Sequence, residues 1–226
     1  MRVCQFRHFG TGIASGGDTR LTAIPSVANA ATSVKEQARR TMAQRRAMIL
    51  FRSQWSARVR RMSTVYTSRA AAPWGRMFRL NEYFFHQALE GLSEDELWLQ
   101  PAKKANPMLW IAGHMTDTRT VVLQVLGEAF ELPWEDQFKR FGKLGQPGEY
   151  AEISLIRSTM TEVSLRLISL LAAMDDEQLY QPATGVGVAK AKTRMDEIAQ
   201  LAWHDSYHLG QMAYLRKALG YEGLAG

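Results

Sequence analysis

The residues best suited to chemistry in this 226-residue chain lie near its C-terminus, in the stretch WHDSYHLGQ. His204 and His208 stand four residues apart, and Gln211 follows three residues later. On an α-helix, side chains four residues apart lie one turn from each other on the same face. Both imidazoles could therefore bind one divalent metal ion, as paired histidines do in helical zinc sites. Such a pair alone is more often solvated or hydrogen-bonded, so the metal interpretation needs a third ligand.

A third histidine, His114, lies in LWIAGHMTDT, where apolar residues surround it. A histidine in that setting is expected to point towards the interior of the protein, where it could simply donate a hydrogen bond to a carbonyl group. Helical bundles also build metal sites from inward-facing side chains on different helices. His114, His204 and His208 together would supply three nitrogen ligands and leave coordination positions open, as a catalytic site requires.

Three further polar residues are weaker candidates. Asp117 could orient the His114 imidazole, although a solvated acid on the helix face is the favoured interpretation. Gln211 could donate to a metal-bound water, but a role in packing the helix pair is favoured. His86 is a possible fourth ligand. Cys4 is the single cysteine, which excludes an intrachain disulfide framework and a cysteine-rich zinc site.

The elements that must position these residues are helices. Apolar spacing predicts helix one over 76–90, with its buried stripe at Met77, Leu80, Phe84 or Phe85, and Leu89. Helix two is predicted from an Asn106 N-cap and Pro107 to Leu126. Helix three is predicted over about 151–173 along a stripe that includes Ile156 and Leu167. Helix four is predicted from a capping box at Thr193 to about Ala218.

The connecting segments complete an all-α architecture. Capped turns are predicted at Ser93 and at 175–182. The connection from 127 to about 150 is longer than usual and contains Trp134, Phe138 and Phe141, so we expect it to pack over the bundle. No segment alternates apolar and polar residues with a period of two, and the prediction is a four-helix bundle.

Composition limits the class of protein. Hydrophobic residues make up 46% and charged residues 22%, and no apolar run reaches the length of a membrane-spanning helix. Residues 1–61 carry twelve Lys and Arg against two acids, whereas the rest carries sixteen basic and twenty acidic residues. The domain therefore lacks the basic footprint of a nucleic-acid-binding protein. We expect no nucleic-acid or membrane partner and a cytoplasmic location.

The basic segment 1–61 has three interpretations. It could be a transit peptide, a disordered basic tail, or a stretch that precedes a true translation start at Met62. The last interpretation is favoured because MSTVYT reads as an ordinary beginning.

The pattern L-W-x-x-x-H, followed by H-x-x-x-H-x-G-Q on the last helix, resembles the DinB-like family of metal-binding four-helix bundle proteins, over about residues 74–222. The resemblance implies an up-down-down-up topology with the crossover in the loop at 127–150. It also implies that His114, His204 and His208 bind a divalent metal, zinc or nickel, and that the protein forms a homodimer. Some members are thiol-dependent S-transferases or isomerases that use a low-molecular-weight thiol.

Three functions follow from these observations. The first is a metal-dependent thiol S-transferase or hydrolase that acts on a small molecule. The second is a metal- or ligand-binding bundle without turnover, which could serve in a stress response. The third is a structural dimer in which the histidines only pack. The sequence does not reveal a catalytic residue beyond the candidate ligands.

Overall fold

The computed structural model describes residues 64–102, 105–134, 136–138, 144–187 and 190–224. The predicted extension, 1–61, lies outside the described residues, and the proposed domain limits remain a prediction. Within the described residues the regular structure is helical, which confirms the all-α prediction. None of these helices is both long and apolar enough to cross a bilayer. The α-helices are α1 (Ala71–Ala88), α2 (Glu94–Trp98), α3 (Met108–Val125), α4 (Ile153–Ala173), α5 (Asp176–Leu179) and α6 (Arg194–Ala218).

The four long helices, α1, α3, α4 and α6, enclose a core with two apolar clusters. One cluster joins the C-terminal halves of α1 and α6 to the N-terminal halves of α3 and α4, and it includes Phe85, Met108, Ile156 and Met212. The other joins the opposite halves and includes Phe78, Val122, Leu167 and Ile198. Helices α1 and α6 therefore run in one direction and α3 and α4 in the other. This is the predicted up-down-down-up topology, and the connection from α3 to α4 must return along the bundle.

Hydrogen bonds at the helix starts explain where these helices begin. The Thr193 side chain accepts from the Asp196 amide, and the Asp196 carboxylate accepts from the Thr193 amide, as predicted for α6. Equivalent boxes start α2 at Ser93 and α5 at Asp175. The Asn106 cap predicted for α3 is wrong, because Pro107 is the capping residue and no side chain caps this end.

The buried face predicted for the first helix is wrong in part. Met77 and Leu80 are 40% and 51% exposed, whereas Phe78 and Phe85 are fully buried. The apolar pattern misplaced the face because polar residues share the buried side of α1, namely Asn81, Glu82, His86 and Gln87. Helix α1 also begins earlier than predicted, at Ala71, with Pro73 in its first turn, where a proline is tolerated.

Candidate metal centre

Helix α3 holds His114 among apolar side chains, as predicted. His114 is 9% exposed, and the ring of Trp110 stacks on its imidazole with 4.8 Å between the centroids. The Nδ1 atom of His114 lies 3.0 Å from the carbonyl oxygen of Phe138. Because a carbonyl oxygen can only accept, Nδ1 must be the donor in this bond, and the neutral imidazole then keeps its lone pair on Nε2. That is the form in which a histidine binds a metal.

The loop after α3 reaches His114 because residue 113 has no side chain. A Cβ added to Gly113 would lie 2.3 Å from two ring carbons of Phe138. The Phe138 ring, which is fully buried, therefore occupies the space beside the α3 backbone. This packing, and not close approach of another helix, is the structural reason for the glycine next to His114.

Helix α6 supplies the other two histidines from one face. The Nε2 atoms of His204 and His208 are 3.1 Å apart. The Nδ1 atom of His208 lies 2.7 Å from Oε1 of Gln211, so this imidazole also donates through Nδ1 and keeps its lone pair on Nε2. The Gln211 amide nitrogen donates to the Tyr207 hydroxyl. These hydrogen bonds of Gln211 stay within α6, so they do not join two helices as the favoured packing role required.

The three histidines form a cluster with one ring nitrogen from each within 4.8 Å of the others. Ring centroids are 5.2 Å apart for His114 and His204, 5.0 Å for His114 and His208, and 4.4 Å for His204 and His208. Two nitrogens that each lie about 2.0–2.1 Å from one zinc ion are separated by about 3 Å. The 3.1 Å between the Nε2 atoms of His204 and His208 matches this separation. The donor type, and the tautomers of His114 and His208, also suit a divalent metal. His204 is the most exposed of the three, so the cluster opens to solvent on its side.

Comparison with known proteins identifies the family. A model of the DinB superfamily matches residues 77–212, which is more than half of the chain and includes all three histidines.

The chain belongs to the DinB superfamily.

A crystal structure described as the conserved protein of locus from Enterococcus faecalis is similar to this DinB superfamily chain, with a TM-score of 0.52. Sequence identity is 16%, and the similarity covers 65% of this chain and 94% of that one. At that identity the likeness supports the fold alone. No curated protein matches the chain.

Asp117 does not orient His114 directly, because the Phe138 carbonyl holds the Nδ1 atom. The Oδ1 atom of Asp117 instead accepts a hydrogen bond from the Trp134 indole nitrogen at 2.9 Å. Burial raises the pKa of Asp117 from 3.8 to about 6; the Trp134 hydrogen bond opposes this rise, and the nearby charge of Asp136 adds to it. The favoured interpretation of a solvated acid is therefore wrong.

His86 lies on α1 and is not in the histidine cluster of the DinB chain. Its Nε2 atom is 3.0 Å from the Thr161 hydroxyl on α4, and Arg157 approaches its Nδ1 atom. The prediction of His86 as a fourth ligand is wrong. Its contacts join α1 to α4.

A buried ion pair that the sequence analysis missed fixes α6 against α3. The Nε and Nη2 atoms of Arg119 lie 2.9 and 2.8 Å from Oδ2 of Asp205, and neither side chain is more than 1% exposed. Arg119 also donates to the Phe78 carbonyl on α1 and to the Ser164 hydroxyl on α4. One side chain of α3 thus binds all three other long helices. Asp205 directly follows His204, so the pair also fixes the rotation of α6 that aims both histidines at α3.

Aromatic side chains border the cluster on the outer face of α6. The Tyr207 ring packs edge-on against His208 at 5.1 Å, and the Trp203 ring stacks on Tyr207 at 5.7 Å. Trp203 is 67% exposed and Tyr207 is 47% exposed. The histidine cluster therefore has exposed aromatic surface beside it.

Proposed function

We propose that this DinB superfamily protein binds one divalent metal ion through His114, His204 and His208. The observation that carries the proposal is the state of the imidazoles. His114 and His208 each donate through Nδ1 to an acceptor atom, which leaves their Nε2 lone pairs available to a metal. The acceptor for His114 is the backbone carbonyl of Phe138, which rotation of a side chain cannot move away.

The donor set favours zinc or nickel. Neutral imidazole nitrogen binds zinc, copper, iron and nickel, whereas magnesium and calcium prefer oxygen ligands. Among the residues that the structure describes, no cysteine or carboxylate joins the cluster. Three neutral imidazoles alone would leave the positive charge of the ion unbalanced. Three protein ligands leave room for a further ligand, which is typical of catalytic and not of structural zinc sites.

We infer that the bound metal supports catalysis on a small molecule, as a thiol S-transferase or a hydrolase. A divalent cation lowers the pKa of a thiol or water that it binds, which makes a nucleophile available near neutral pH. The chain's own contribution is to hold the imidazoles of His114 and His208 through their Nδ1 hydrogen bonds and to border the cluster with Tyr207 and Trp203. Those rings would cover the apolar part of a substrate and exclude water on that side. In the transferase, the cosubstrate would be a low-molecular-weight thiol, whereas the hydrolase would use water.

A metal-free role is the competing interpretation, and one distance in the cluster is consistent with it. The 3.1 Å between Nε2 of His204 and Nε2 of His208 also suits a hydrogen bond in which His204 donates. In that case the cluster would be a hydrogen-bonded pair within a structural or ligand-binding bundle. Homodimer formation and a cytoplasmic location remain predictions under either interpretation.

Elemental analysis of the full-length protein separates these roles. We expect about one equivalent of zinc or nickel in the wild type and a loss of most of it in His204→Ala. His86→Gln is the matched control, because His86 lies outside the cluster and should leave the metal content unchanged. Less than about half an equivalent, unchanged in His204→Ala, would show that the histidines do not form a metal site. Assays of the loaded protein with thiols and electrophiles, and with hydrolysable esters and amides, then distinguish a transferase from a hydrolase. Binding without turnover on either panel supports the non-catalytic bundle.

A further inference from the structure

A segment of the loop after α3 contacts α3 at three points. The Trp134 indole nitrogen donates to Oδ1 of Asp117 at 2.9 Å, and the Phe138 carbonyl oxygen accepts from Nδ1 of His114 at 3.0 Å. The ring of Phe138 fills the space over Gly113. His114 and Asp117 are three residues apart and so lie on neighbouring positions of one helix face. The two hydrogen bonds therefore join the same stretch of loop to the same face of α3.

The rings within this segment are closely packed. Trp134 is 7% exposed and Phe138 is fully buried. Their centroids are 5.7 Å apart with the planes nearly perpendicular, a favourable edge-to-face contact. A displacement of the Trp134 ring would therefore be transmitted to Phe138 by direct contact.

Two contacts fix the other side of the segment. Oε1 of Gln137 accepts a hydrogen bond from the Ala151 amide at 2.8 Å, just before α4. The ring of Phe138 also contacts that of Tyr150, with 5.2 Å between centroids. Gln137 and Phe138 are thus held near the start of α4, whereas the Trp134 indole is held to α3 by its hydrogen bond to Asp117.

We propose that Asp117 and Trp134 are positioning residues for His114, which act through Phe138. The Asp117 carboxylate fixes Trp134, Trp134 packs against Phe138, and the Phe138 carbonyl then lies where it sets the tautomer and rotation of the His114 imidazole. We call these three residues, Asp117, Trp134 and Phe138, the brace. This inference rests on the proposed metal site, because its purpose is to hold a ligand imidazole.

The brace predicts which changes should matter. Asp117→Ala removes the acceptor of the Trp134 hydrogen bond, and Trp134→Phe removes its donor while keeping an aromatic ring. Asp117→Asn keeps an oxygen acceptor for the Trp134 indole and should keep the wild-type metal affinity. Because both damaging variants break one and the same hydrogen bond, the double variant should be little worse than either single variant.

The main test is a Co²⁺ titration of the folded full-length protein, with a competing chelator to define the affinity. We expect Asp117→Ala and Trp134→Phe each to weaken binding measurably. The upper limit is the about 10- to 100-fold effect of losing a direct partner of a ligand histidine, because both variants keep the Phe138 carbonyl. Asp117→Asn and the control Trp74→Phe, whose indole packs in the other apolar cluster, should keep the wild-type affinity. Urea unfolding of the metal-free variants is measured alongside, since a purely structural role would lower stability and leave the affinity of the folded protein unchanged. Unchanged affinity in both damaging variants would overturn the brace.

A second measurement needs no metal and keeps the two proposals separate. Nitrogen NMR of the His114 ring reports its tautomer and the solvent exchange of its Nδ1 proton. We expect Asp117→Ala to speed that exchange and Asp117→Asn to leave it as in the wild type. If the wild type binds no metal, the proposed function fails, and the NMR comparison alone decides the brace. Equal exchange in Asp117→Ala and the wild type then refutes it.

Discussion

Gly113→Ala is the substitution whose effect can be worked most fully from the structure. The new Cβ would lie 2.3 Å from the Phe138 ring, whereas ordinary contacts begin at 3.4 Å, so the ring must retreat by about 1 Å. The backbone carbonyl of Phe138 is the acceptor of the 3.0 Å hydrogen bond from His114. A shift of that size in the same direction would lengthen the bond beyond the normal range.

The expected change in stability is a difference between two effects. Alanine in place of glycine in a helix interior stabilises by about 1 kcal/mol. Overpacking a filled core costs about 1–3 kcal/mol. The free energy of unfolding of Gly113→Ala should therefore fall by about 0–2 kcal/mol. Metal affinity should fall by about 10- to 100-fold, because His114 loses the partner that fixes its tautomer.

Gly210→Ala is the matched control. Gly210 is also a helical glycine, on α6 and near the histidines. Apart from its chain neighbours and the adjacent backbone of α6, nothing lies within 4 Å of its added Cβ. The Gly210→Ala variant should gain about 1 kcal/mol of stability and keep the wild-type metal affinity. Urea unfolding of metal-free protein and chelator-competition titration measure both quantities. If Gly113→Ala is stabilised as much as Gly210→Ala and binds metal equally well, the close fit between Phe138 and α3 has no role.

The remaining predictions concern charge and pH. Asp205→Asn leaves the buried Arg119 charge without its partner, so urea unfolding of metal-free protein should show a loss of about 3–5 kcal/mol; a loss below about 1 kcal/mol would contradict it. The pKa of the Asp117 carboxyl is about 6 in the folded protein and 3.8 ordinarily. The protonated carboxyl therefore contributes stability that is fully present below about pH 3.8 and is lost as the pH rises through about 6. Metal-free Asp117→Asn should therefore gain stability relative to the wild type by at most about 3 kcal/mol between pH 4 and pH 8, and a constant difference across that range would refute the raised pKa. Metal retention should fall as the pH drops through the histidine range, near about 6.5, and retention that stays flat down to about pH 5 would contradict three-histidine ligation.

The sequence was sufficient to predict the four long helices and the meeting of the three histidines, because both depend on local spacing. Helix α6 begins at the predicted capping box, and its i, i+4 histidines meet the histidine of α3 as the bundle requires. The partners of those histidines could not be predicted. His114 donates to a backbone carbonyl, and every residue type has one, so the sequence does not reveal this partner. Asp117 accepts from a tryptophan 17 residues away across an irregular loop.

The errors on α1 and the missed ion pair have a common cause. Both arise where polar side chains are buried. The spacing of apolar residues, from which the buried faces were predicted, contains no information about buried polar side chains. Asn81 and Glu82 are each 3% exposed, and they displaced the predicted stripe towards Met77 and Leu80. Arg119 and Asp205 are buried together. The signal that could have revealed the pair was Arg119 itself, the one arginine of α3, which the uncharged residues 120–125 follow.

Anomalous scattering at the metal edge, from a crystal of the zinc-loaded full-length protein, would show which residues bind the metal. We expect one peak within about 2.0–2.2 Å of a ring nitrogen of each of His114, His204 and His208, with at least one coordination position left to a non-protein ligand. A cluster without a peak, with His204 and His208 joined by a hydrogen bond, or a metal bound by other residues, would contradict it.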